Sequence, residues 1–124
     1  LFASHARAVG IAHITARQAA VIMVLGELAP ATPTQTEVGG PAGMDRSTLT
    51  EIMRRLIRAG IVNRKESRTD RRAWSLSLTA VGTKLLPKIA AVQEATDADL
   101  ASRIKGLERL RLLPAPAPAK FAAE

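Results

Sequence analysis

A chain of 124 residues suits one domain: it can bury a real core but not two. It has no cysteine, which excludes a disulfide framework, a thiolate metal site and a cysteine nucleophile, and its few aromatics (Phe2, Trp74 and Phe121) do not make a stacking platform for single strands. A net charge of +7 favours an anionic partner without fixing a fold.

The chain starts at Leu1 rather than at a methionine, and an incomplete N-terminus is expected. Residues 1–12 are Ala-rich and read as helix, with Phe2, Val9 and Ile11 apolar. Thr15-Ala16-Arg17-Gln18 is a capping box, opening a helix that runs to about Leu28. Its apolar run from Ala19 to Gly26 has the outline of a signal peptide. Glu27 interrupts the run, which falls short of the roughly 18 apolar residues that span a bilayer. A buried helix and a cytoplasmic location are expected, with no membrane partner.

Thr32-Pro33-Thr34-Gln35 reads as a second capping box, with Pro33 at the first helical position. Gly39-Gly40-Pro41 predicts that this helix is short, because proline removes a backbone donor and clashes one turn back. Asp45 caps the next helix, where Leu49, Ile52, Met53, Leu56 and Ile57 recur at helical spacing. Arg46, Ser47, Thr50, Glu51, Arg54, Arg55 and Arg58 fall on its other side, and Gly60 ends it.

The period then changes to two. Ile61 to Arg64 starts one strand, and Trp74, Leu76 and Leu78 alternate with polar residues as a half-buried second strand. Lys65 to Arg72 forms the charged tip of the resulting hairpin. Thr79 caps a last helix with apolar candidates from Leu85 to Leu113, Pro87 as a kink, and Asp97 and Asp99 as a break or a solvated turn. Residues 114–124 are rich in Pro and Ala and are expected to be a disordered tail. Residues 1–113 thus form a single domain.

Two short helices followed by a strand hairpin predict a winged helix-turn-helix, mainly α with a small β-hairpin wing. Charge agrees with this. Asp45 to Arg72 carries nine basic and four acidic residues, and so holds five of the seven net charges. Such a concentration is the footprint of a duplex-binding surface. In that reading Arg46 sits at the helix start, where free amides also favour phosphate. Ser47, Thr48, Thr50 and Glu51 reach base edges, while Arg54 and Arg55 pair with guanine or hold phosphate. On the hairpin, Asp70 orients Arg72 for a narrow minor groove, and Arg68 and Arg71 meet phosphates. The alternative, a winged-helix module for protein–protein contact, needs no basic face.

Ile14-Thr15-Ala16-Arg17-Gln18, Met44-Asp45-Arg46-Ser47-Thr48-Leu49-Thr50, Leu56 with Gly60-Ile61-Val62, Asp70-Arg71-Arg72 and Leu78-Thr79-Ala80-Val81-Gly82 stand in that order. With these motifs the chain resembles the multiple antibiotic resistance regulator (MarR) family of bacterial transcription factors. The resemblance implies a DNA-binding lobe at about 14–82 and dimerisation helices at about 1–12 and 83–113. It further implies a homodimer on a pseudo-palindromic double-stranded operator, acting as a ligand-responsive repressor. A small anionic aromatic effector would bind between dimer region and lobe, with His13 and Arg17 as lining candidates.

No enzyme is expected, and no cofactor. His5 and His13 have no acidic neighbour in sequence and make poor metal ligands. Gly39-Gly40-Pro41-Ala42-Gly43 lacks the Lys-Ser/Thr of a nucleotide-binding turn.

Overall fold

The computed structural model describes residues 1–66 and 73–112. In chain order they form α1 (Phe2–Ala8), α2 (Ala16–Leu28), α3 (Gln35–Ala42), α4 (Arg46–Arg58), β1 (Val62–Glu66), β2 (Trp74–Leu78) and α5 (Ala80–Leu112). The architecture is mainly α with one antiparallel hairpin, the expected winged-helix class. Val21, Ile22 and Leu25 of α2 form the centre of a core shared with Leu56, Leu76 and Ile89. No described helix is long and apolar enough to cross a membrane.

α1 is shorter than the 1–12 span expected and packs on α5 through the fully buried Ala6. Sequence spacing shows no acidic partner for His5, but the fold supplies one: His5 Nε2 lies 2.6 Å from Asp99 Oδ2, on α5. α2 starts as expected. Thr15 Oγ1 accepts the Gln18 amide at 3.1 Å, and Gln18 Oε1 accepts the Thr15 amide at 3.0 Å.

The second capping box is Thr34 with Glu37, two residues beyond the one expected at Thr32. The Pro33 carbonyl accepts the Leu76 amide at 2.9 Å, and Thr34 bridges Ser75. Residues 33–34 are therefore held extended against β2, so the helix begins only after them. Pro41 sits in the last turn of α3. The helix closes at Gly43, whose φ of +65° is a left-handed turn that a side chain would strain.

Asp45 caps α4 by accepting the Thr48 amide at 2.7 Å. That amide, then the Thr48 side chain and the nearby Arg17 charge, hold the Asp45 carboxyl below the usual carboxylate range. α4 is strongly two-sided: Leu49, Ile52, Met53 and Leu56 are buried, as their spacing requires. At its far end, the Gly60 and Ile61 amides return to the Ile57 and Leu56 carbonyls.

The hairpin pairs Val62 with Leu78, Arg64 with Leu76 and Glu66 with Trp74. β1 runs two residues past Arg64, so Lys65 and Glu66 belong to the strand and not to the loop. Of the apolar alternation expected in β2 only Leu76 is buried; Leu78 is half-buried like Ser75 and Ser77, and Trp74 is 48% exposed. Trp74 stands where the wing leaves the helices, and the Arg64 guanidinium covers its ring at 4.6 Å from the centroid. α5 then continues unbroken for 33 residues, through Pro87, Asp97 and Asp99. Its first half buries Leu85, Ile89 and Val92, while Leu100, Ile104, Leu107 and Leu110 stand exposed on its second half.

The two ends of the hairpin and the start of α5 meet at Thr79. Its hydroxyl lies 2.6 Å from the Gly60 carbonyl and 3.1 Å from that of Ile61, and accepts the Gly82 amide at 3.2 Å. A Cβ at Gly82 would press into the Ile61 carbonyl oxygen, a backbone atom that cannot swing aside. Gly106, also on α5, has nothing within 4 Å of that position. Gly82→Ala is therefore expected to destabilise the fold by about 1–3 kcal/mol. Gly106→Ala should instead stabilise it by about 0.5–1 kcal/mol. Urea unfolding checks both, and equal signs would contradict the packing.

Asp45 gives a pH test. Its lowered pKa means that the charged cap contributes fully above the unfolded value of about 3.8 and is lost as pH falls through the folded one. Asp45→Asn should melt below the parent at neutral pH, with the gap closing in acid. A gap independent of pH would contradict the charged cap.

Candidate nucleic-acid interface

The site is the solvent side of α4 together with the wing beside it. α3 and α4, joined by the Gly43 turn, are packed on α2, and β1 leaves directly from the end of α4. Four buried apolar residues fix the rotation of α4, so Arg46, Ser47, Glu51, Arg54 and Arg55 all face outward and exposed. Thr48 is half-buried under the Asp45 cap.

Among the described residues two contacts refine the expected roles. Thr50, exposed on α4, donates its hydroxyl to the Arg46 carbonyl at 2.8 Å and accepts from Gln35 Nε2 at 2.7 Å. It thus ties the start of α3 to the face of α4. Glu51 lies 3.4 Å from Arg54 Nη1 and 3.4 Å from Arg55 Nε. Such exposed pairs are worth about 0–1 kcal/mol, so they aim the two arginines without tying them down. The fold brings Arg46, Ser47, Glu51, Arg54 and Arg55 onto one face. Arg68, Asp70, Arg71 and Arg72 lie outside the described residues.

Arg17 lines an open groove of about 390 Å³ with Ala16, Ala20, Met44, Asp45 and Thr48. It joins the start of α2 to the start of α4. His13 and the first turns of α5 are not among its lining residues. Sequence places Gln35 in a capping box with Thr32 and gives no sign of its bond to Thr50, 15 residues away, nor of the Arg64–Trp74 pair. Arg64 and Trp74 become neighbours only once the hairpin register is known.

Comparison with known proteins agrees with this geometry. The model of the ArnR1-like winged-helix domain matches residues 13–96. A putative transcriptional regulatory protein for the hcr operon of Thauera aromatica is 31% identical over 70 residues. That stretch is 56% of this chain and 42% of the relative, so the match spans less than half of the relative's length. The crystal structure of NadR in complex with 4-hydroxyphenylacetate is 32% identical, with a TM-score of 0.65, covering 90% of this chain and 77% of that one. A MarR transcriptional regulator from Methanosarcina mazei Go1 is 19% identical and shares the fold at a TM-score of 0.69, over 98% of this chain and 78% of that one. The chain therefore belongs to the ArnR1-like winged-helix domain family, and its fold is that of the MarR-type regulators.

Proposed function

We propose that the chain is a sequence-specific, double-stranded DNA-binding transcriptional regulator acting in the cytoplasm. The observation that carries this is the two-sided α4. Its apolar side is locked in the core, and its outward side is entirely polar, with Arg46, Arg54 and Arg55 beside a basic wing. α4 enters the major groove from its N-terminal half, and the wing, with Arg68, Asp70, Arg71 and Arg72, reaches the adjoining minor groove. Ser47, Thr48, Thr50 and Glu51 are the side chains offered to base edges, and Thr50 also ties α3 to α4 through Gln35.

The protein works as a homodimer on a pseudo-palindromic operator. Leu100, Ile104, Leu107 and Leu110 support this, because they make an exposed apolar stripe at helical spacing that a second copy would cover. The reading continues to a repressor released by a small anionic aromatic effector. In its support, Arg17 faces a groove whose wall includes Asp45 and Thr48, the cap of α4. A carboxylate drawn to Arg17 would compete with Asp45 and disturb the start of the DNA-reading helix. His13, exposed just before α2 and outside this groove, is the second residue proposed to meet the effector.

Fluorescence anisotropy on a labelled duplex from upstream of its own gene, at about 150 mM salt, tests the reading. Binding should survive excess random duplex. With three or four phosphates per protomer, the log–log salt slope should be about −5 to −7. A slope near zero, or full loss to the competitor, would contradict specific binding.

A further inference from the structure

We propose that Trp74 is a positioning residue whose ring holds the Arg64 guanidinium as a fixed phosphate contact on the wing. The inference deepens the DNA-binding reading and rests on it. Arg64 stands opposite Leu76, and Glu66 stands opposite Trp74, so Arg64 and Trp74 are diagonal neighbours on one face of the hairpin. That face begins at Val62 and Leu78 against the helices. It ends at the Glu66–Trp74 pair, past the edge of the core, with Arg64 one pair further in, opposite the buried Leu76.

The guanidinium carbon lies 4.6 Å from the ring centroid, inside the cation–π range. Trp74 is nonetheless 48% exposed, so the core does not account for a large aromatic there. An arginine lying on a ring keeps its in-plane N–H groups free to donate to phosphate. It also loses less side-chain freedom on binding than a mobile one. The contrast with α4 is informative. There Glu51 aims Arg54 and Arg55 through ion pairs, whereas at Arg64 a neutral ring does the aiming, with Glu66 the next side chain on the same face.

The test uses the full chain and a labelled random-sequence duplex of about 30 base pairs at about 50 mM salt, because phosphate contacts do not depend on sequence. Arg64→Ala should weaken binding about three- to ten-fold and reduce the salt slope by about one per protomer. Trp74→Leu, which keeps apolar bulk and removes the π face, should weaken it about two- to five-fold. Trp74→Phe should restore most of that loss. In an Arg64→Ala background, Trp74→Leu should cost nothing further.

Parent-like binding by Trp74→Leu would overturn the inference alone, provided the parent binds. So would an undiminished Trp74→Leu loss in the Arg64→Ala background, because the ring would then act on DNA or on the wing by itself. A lowered melting temperature that Trp74→Phe does not rescue marks a structural role and also overturns it. A parent that binds no duplex would overturn both this inference and the reading beneath it.

Discussion

The domain depends on one crowded junction. Where α4 ends, the chain turns at Gly60, runs out and back along the wing, and returns to within hydrogen-bond reach of its starting point. The Thr79 amide closes the loop on the Ile61 carbonyl at 2.9 Å, and the Thr79 hydroxyl caps the first turn of α5 through the Gly82 amide. Gly82 lets α5 come close enough for this to happen. Helix, wing and long helix thereby share one set of backbone groups.

Around that junction the chain separates its two tasks. Apolar side chains at helical spacing lock α4 in place, and the outward positions are left to charge and hydrogen bonding. Polar contacts then set the angles. Gln35 and Thr50 join the motif's two helices, Asp45 caps the second, and the Pro33 carbonyl ties the entry of α3 to β2. These contacts are individually weak, but they act on a frame that packing already holds. On this frame the outward face of α4, with Arg46, Arg54 and Arg55, is held at a fixed angle while the exposed side chains keep their own freedom.

Much of this was legible in the sequence. The Thr15 and Asp45 caps, the buried stripe of α4 and the switch to period two at Ile61 are local signals, and each marks an element that forms. The errors have non-local causes. The start of α3 is set by β2, far along the chain at Ser75 and Leu76, which overrides the Thr32 pattern. Asp99 keeps its place in a continuous helix, and its partner His5 lies 94 positions away. Trp74 follows the strand alternation, yet it falls beyond the edge of the core, and alternation alone does not show where a core ends. The basic character of the interface was visible from counting charges, whereas which charges are aimed, and by what, required the fold.

Amide chemical shifts of the nitrogen-15-labelled chain, titrated with duplex from upstream of its gene, would locate the interface residue by residue. The largest changes should fall on the outward positions of α4 from Arg46 to Arg55 and on the wing about Arg64, with α1 and the Leu100–Leu110 stripe little moved. Changes concentrated on α1 and the far half of α5, with α4 undisturbed, would contradict the duplex-binding face described above.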